Sequence, residues 1–203
     1  MATVTSDSIG SPLVLHFGSA LNRFTEDEFF KFCQRNRDLR IERTRNGDLI
    51  IMPPSGGETG RSNASLNFQL VAWNEHARLG EVFDSSTGFR LPGGPLRSPD
   101  AAWVARDRWR ALTRAQRKKF PPIAPDFVVE IRSETDSLKP LRAKMHEYIE
   151  LGVRLGWLID PMARRVEVYR PDRKPRPLKA PETVSGDPVL PGFVLQLERI
   201  WAD

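Results

Sequence analysis

Two acids in this chain stand where a strand ought to be apolar. "RSPDAAWV", residues 97–104, sets Asp100 after Pro99 and just ahead of an apolar run. "APDFVVEIRS", residues 124–133, repeats Pro-Asp before an apolar run and carries a second acid, Glu130, inside it. A carboxylate in a buried strand is costly unless it is paired, protonated or bound to a metal. Two carboxylates from adjacent strands can hold a hard cation such as Mg²⁺, or Mn²⁺ in its place. The cation can activate a water and stabilise the charge that develops on a phosphate under in-line attack. A structural alternative stays open: Asp100 capping a turn after Pro99, and Glu130 in a buried salt bridge with Arg132 or Lys144.

Phosphate chemistry also wants a cation. Arg132, two residues after Glu130, points to the same face of its strand. Its guanidinium stays protonated, which suits a phosphate clamp and not a proton carrier. Lys144 lies on the next helix, "LKPLRAKMHEYIELG". At about 100° per residue it falls between Tyr148 and Leu151, on the flank that packs towards the sheet and Glu130. The competing reading is a lysine that only snorkels its stem to an edge. Glu58, in "PPSGGETGRSN", sits in the first turn of a long helix, where an acid also compensates the helix dipole. His16, His76 and His146 are scattered without metal-ligand spacing.

The elements that must position these groups follow from pattern. "FTEDEFFKFCQ" opens a helix through a Thr25–Glu28 capping box, with Phe24 and Phe29 as a hydrophobic staple. Asn46-Gly47 between two strand-like runs predicts a hairpin. "SGGETGRSNASLNFQLVAWNEHARLG" predicts a helix with Leu66, Leu70, Trp73 and Ala77 on one face and a stop at Gly80. "VFDSSTGFRLP" and "SPDAAWVA" read as the next two strands, and the basic stretch 106–120 as one or two short helices. "PDFVVEIRS" has the continuous apolar character of a central strand. With the helix at 138–152 and the strand "LGWLIDP" it should form a right-handed parallel crossover. "RRVEVYRP" is a further strand, and "LPGFVLQLERIW" closes the chain. The order predicts an α/β protein with a mixed central sheet flanked by helices.

Length and composition agree with a globular domain: residues 1–22 read as weakly structured and 23–203 as one domain. No apolar run approaches a membrane span, the N-terminal residues lack a signal-peptide pattern, and Cys33 is the sole cysteine, so a cytoplasmic protein is expected. The net charge of +5 leans towards a polyanionic partner. Residues 106–120 carry seven Arg or Lys against one Asp, among them Arg117, Lys118 and Lys119. They form either a solvated face or a phosphate-contacting arm.

Taken together, "MPPSGGETGRSN", "FDSSTGFRLPGG", "RSPDAAWV", "PDFVVEIRS", "LRAKMHEYIELGVRLGWLIDP" and "VLPGFVLQL" resemble the Uma2 family, which is placed in the PD-(D/E)XK nuclease superfamily. The resemblance runs from Phe24 to Trp201. It implies a restriction-endonuclease-like core and a metal-dependent endonuclease that hydrolyses DNA phosphodiester bonds. Carried over by position, Asp100 and Glu130 are the two acids, and Glu58 matches the acid near the first long helix. The superfamily lysine two residues after the second acid is absent, since Arg132 stands there. In this family the lysine comes from the following helix in a Lys-x-x-x-Tyr pattern, which falls on Lys144 and Tyr148. The expected partners are double-stranded DNA and a second copy of the chain, because cutting two strands suits a two-fold pair. Two other readings stay open: a catalytically weak nucleic-acid-binding relative of the same fold, and a structural domain that is basic only by composition.

Overall fold

The computed structural model describes residues 3–5, 12–17 and 24–201. The chain begins with β1 (Thr3–Thr5), β2 (Leu13–His16), α1 (Glu26–Arg35), β3 (Arg40–Arg43) and β4 (Leu49–Met52). Then come α2 (Gly57–Ala77), β5 (Gly80–Asp84), β6 (Phe89–Arg90), β7 (Leu96–Arg97) and β8 (Ala101–Ala105). The middle of the chain holds α3 (Arg106–Ala111), α4 (Arg114–Arg117), β9 (Phe127–Ile131), α5 (Leu138–Glu150) and β10 (Leu155–Asp160). Four short strands end it: β11 (Arg165–Tyr169), β12 (Arg176–Lys179), β13 (Thr183–Ser185) and β14 (Val194–Gln196). These elements fall into two compact units, Met1–Pro54 with Ser86–Ser98 and Thr113–Ile123, and Ser55–Ser85 with Pro99–Leu112 and Ala124–Asp203.

The first unit is built on an antiparallel sheet of order β1-β2-β4-β3-β7-β6. β1 and β2 lie in the segment expected to be weakly structured; residues 1–2, 6–11 and 18–22 of that segment lie outside the described residues. Buried Phe29, Ile41, Leu49 and Leu96 form the core of this unit. The capping box on α1 is complete: Thr25 Oγ1 accepts from Glu28 N at 3.3 Å, and Glu28 Oε2 accepts from Thr25 N at 2.8 Å. Of the expected staple, Phe29 is buried while Phe24 is 44% exposed. The hairpin joins β3 to β4 through Thr44–Asp48, a longer loop than Asn46-Gly47 would make alone. Gly47, but not Asn46, takes a positive φ (87°), and Thr44 Oγ1 accepts from Asp48 N at 3.0 Å.

The second unit holds the mixed sheet, of order β12-β11-β10-β9-β8-β5. All neighbours run antiparallel except β9 and β10, which are parallel and joined by α5, as the crossover pattern predicts. β9 is central and buried at every residue. Its alternation splits it between two faces. Phe127, Val129 and Ile131 join Leu66 and Leu70 of α2 and the C-terminal Phe193, Leu195, Leu197 and Ile200 in one core. Val128 and Glu130 turn to the other face, where α5 lies. α5 approaches closely because Gly156 has no side chain: a Cβ there would sit 2.5 Å from Met145 Cε.

Two sequence expectations need correction. "VFDSSTGFRLP" is not one strand; β5 and β6 belong to different sheets, separated by a turn at residues 85–88. α2 stops at Arg78, in the left-handed conformation with φ 54°, and not at Gly80, which lies in β5. The closing segment contributes only the short β14, paired with β13 in a separate ribbon; its apolar residues serve the core instead.

Candidate active site

The site grows from the end of β8 and the middle of β9. Beyond the pair Ala101–Val129, the last regular antiparallel step, Asp100 replaces the ladder with its own side chain. Its backbone N donates to Val129 O at 3.0 Å, and its Oδ2 accepts from Ile131 N at 2.8 Å. Val129 and Ile131 flank Glu130, so Asp100 is fastened to both neighbours of the second acid. Pro99, with no N–H of its own, ends the chain's earlier pairing immediately before. Asn67 of α2 donates to Asp100 O at 3.1 Å and steadies the same residue from the other face.

Glu130 is 4% exposed. Two donors from α5 meet its Oε1: the Lys144 ammonium at 2.8 Å and the Tyr148 hydroxyl at 2.8 Å. Lys144 and Tyr148 are one helical turn apart, which puts both on the face that packs over β9. The Lys144 side chain is only 11% exposed, and its Nζ lies 5.8 Å from the centre of the Tyr148 ring. Its charged end is therefore held against the carboxylate and is not snorkelled to water. Burying such a pair is a poor way to gain stability, because desolvation offsets most of the Coulombic attraction.

Arg132 pairs with a different acid. Its Nη1 meets Asp160 Oδ2 at 2.9 Å and its Nε donates to Asp136 O at 3.0 Å. Asp160 also accepts from Ala163 N at 3.2 Å, so it holds the turn after β10 as well as Arg132. Glu58 is bound within its own turn by Arg61 at 2.8 Å, with 73% of its side chain exposed, whereas Asp100 and Glu130 are buried. Arg117, Lys118 and Lys119 are exposed at the end of α4 in the first unit, where Lys119 meets Asp27 at 2.7 Å.

Sequence reasoning placed Tyr148 beside Lys144 on the flank facing the sheet but assigned its hydroxyl no partner; a phenol on a buried face needs one, and that rule points to the neighbouring acid. It missed Asn67, for which a polar residue on the flank of an apolar helix face is the sole signal. It also missed a second carboxylate. Leu158 pairs with Glu130 on one side and with Glu167 on the other, so the two acids share a row across the sheet. Glu167 receives the Tyr169 hydroxyl at 2.9 Å and Arg142 Nε at 3.0 Å. Burial pushes the Glu167 carboxyl up, but the bonds from Arg142 and Tyr169 outweigh it and hold the group below the ordinary 4.5. A depressed carboxyl adds stability above the unfolded value and loses it as pH falls through the folded one. Wild type should therefore lose on the order of 1 kcal/mol more than Glu167→Gln as pH drops below about 4.5, since Arg142 is partly exposed. Urea melts of both proteins from pH 7 to pH 3 would measure it; parallel pH profiles would refute the assignment.

The mixed sheet with its parallel crossover, and the acids carried at the end of one strand and the middle of the next, define a nuclease-like α/β fold. The crystal structure of a putative nuclease belonging to DUF820 from Anabaena variabilis ATCC 29413 shares it, with TM-score 0.69 and 21% identity over 88% of this chain and 97% of that one. Residues 26–198 match the family model Uma2, described as "Putative restriction endonuclease", and the chain belongs to that family. No curated protein matches it. The family assignment supports a nuclease. Among the described residues no helix is long and apolar enough to cross a membrane.

Proposed function

We propose that the protein is a Mg²⁺-dependent endonuclease that hydrolyses phosphodiester bonds of double-stranded DNA, working as a pair of copies. The observation that carries this reading is the Lys144–Glu130 contact of 2.8 Å beside Asp100. Two carboxylates against one ammonium leave a net negative site. That charge suits a divalent cation, and the donors are hard oxygens. Among the described residues no group of three His, Cys, Asp or Glu side chains gathers at one point. A two-carboxylate site fits Mg²⁺, which keeps several of its waters and is held by one or two protein acids plus phosphate oxygens.

Asp100 and Glu130 would hold the cation, with Asp100 Oδ2 fixed by Ile131 N–H and Glu130 Oε1 fixed by Tyr148. When bound, Mg²⁺ would polarise the scissile phosphate and ease ionisation of water. The Lys144 ammonium stands where it can orient an attacking water and offset negative charge growing on the phosphate oxygens. Arg132, anchored by Asp160, lies two residues along from Glu130 and suits a backbone phosphate. The exposed Arg117 and Lys118 add charge that attracts the polyanion at long range.

The test is turnover of linear duplex DNA in Mg²⁺ or Mn²⁺, with duplex RNA as comparison and binding measured separately in Ca²⁺. Cleavage of DNA in Mg²⁺, lost in EDTA, is expected, with binding that weakens steeply as salt rises. Binding in Ca²⁺ without cleavage in either metal would make the chain a binding protein of this fold. Absence of both would overturn the nucleic-acid reading.

A further inference from the structure

α2 has two unlike faces. Leu66 and Leu70 are fully buried against the sheet. The opposite face carries Phe68, 73% exposed, Val71, 44% exposed, and exposed Ala64. At about 100° per residue, Arg61, Ala64, Phe68, Val71 and Glu75 fall in one stripe. Gly57 and Gly60 extend it, and a Cβ on either would meet nothing of the chain within 4 Å, so packing inside the chain does not account for these glycines.

The stripe is self-complementary about Phe68. Arg61 lies seven residues before it and Glu75 seven residues after it. Lay a second α2 antiparallel on the first, with Phe68 at the two-fold axis. Phe68 then meets Phe68 once, on the axis, while Ala64 meets Val71 of the other copy and Arg61 meets its Glu75, these two contacts each made twice by symmetry. A parallel pair would instead set Arg61 against Arg61 and Glu75 against Glu75. The charges fix the direction of pairing more than its strength, since Arg61 is also engaged by Glu58 and by Arg199 O. The small residues on the Gly57–Ala64 side let the backbones come close.

We infer that this face docks a second copy of the chain through an antiparallel α2–α2 contact. The inference deepens the two-copy part of the proposed function but does not require hydrolysis. One helix pair covers less than the roughly 1,200 Å² of a standard stable interface, so the dimer dissociates in the micromolar range.

Sedimentation velocity on the full chain, over about 1 to 200 µM, tests it. The mass should rise from 23.1 kDa towards twice that value. Phe68→Glu should stay monomeric throughout with an unchanged far-ultraviolet circular dichroism spectrum. Glu75→Arg should weaken association at least tenfold, and adding Arg61→Glu to it should restore association to within a few-fold of wild type. A wild type that stays monomeric, a Phe68→Glu that dimerises like wild type, or a double exchange that fails to recover would each overturn the inference. Because cleavage plays no part in the readout, a dimer that cuts nothing sinks the hydrolytic reading alone, and a monomer that cuts sinks the docking alone.

Discussion

Lys144→Met lowers single-turnover cleavage of duplex DNA by about 100- to 1,000-fold, the usual effect of removing one charge-stabilising donor from a reacting centre. Methionine keeps most of the stem and removes the ammonium, so the loss reports charge and not packing. The ground-state affinity for DNA in Ca²⁺ should change little, because the ammonium faces Glu130 and acts where negative charge grows during reaction. Stability behaves differently. Glu130 is 4% exposed, and the variant removes the ammonium that meets its carboxylate at 2.8 Å, while the Tyr148 hydroxyl still donates to it. Breaking a buried pair in this way costs about 3–5 kcal/mol, so Tm should fall in EDTA. Mn²⁺ should return part of the loss if a cation takes over the neutralisation of Glu130. Arg132→Met is the control. It strands the buried Asp160 carboxylate and should cost stability and DNA affinity more than rate. If Lys144→Met cuts at the wild-type rate while Arg132→Met is inactive, Arg132 is the reacting cation and the role given to Lys144 is wrong.

Why Lys144 was legible, and much else was not, is a matter of the range of the forces involved. Helical periodicity alone turns Lys144 towards the sheet, and the apolar run of "PDFVVEIRS" alone makes β9 central, so their meeting needed only one right-handed crossover. The same reasoning does not reach the partner of Arg132. Period-two alternation speaks only for residues inside β9, and Asp160 arrives from the end of β10, far along the chain, to meet the guanidinium at 2.9 Å. Helical spacing puts Tyr148 on the flank of Lys144 but does not say that its hydroxyl donates to Glu130. The separation of β5 from β6 was invisible because "VFDSSTGFRLP" is locally strand-like at both ends; which sheet each end joins depends on pairing with β8 and β7 far along the chain. The face holding Phe68 was passed over for a related reason. Leu66, Leu70 and Trp73 account for a buried stripe, and a phenylalanine on the other side is unremarkable until its exposure is known.

Asp100→Asn should be the cleanest probe of the metal site, and its expected effect is the largest. The substitution is isosteric, and an asparagine Oδ1 can still accept from Ile131 N, the bond that Asp100 Oδ2 makes at 2.8 Å. β8 and β9 therefore keep their junction and Tm should move by less than about 3 °C, in line with a change that costs under 1 kcal/mol. One of the two negative charges is gone, however, and a hard divalent cation depends on charged oxygen ligands. Mn²⁺ affinity, measured by titration calorimetry or by loss of the free-ion electron paramagnetic resonance signal, should drop on the order of 100-fold or more, beyond the 10- to 100-fold seen for groups that only orient a ligand. Cleavage should fall below detection. Glu130→Gln must differ in kind: it too removes a ligand charge, but it also leaves the Lys144 ammonium buried against a neutral amide, so lost metal affinity should come with a lower Tm. Lost Mn²⁺ affinity in both variants, with the larger fall in Tm for Glu130→Gln, is the result expected of Asp100 and Glu130 as joint ligands with the Lys144 ammonium 2.8 Å from Glu130 Oε1. Wild-type Mn²⁺ affinity in both variants would leave the two carboxylates a structural role only, with Asp100 closing the strand junction and Glu130 neutralising Lys144.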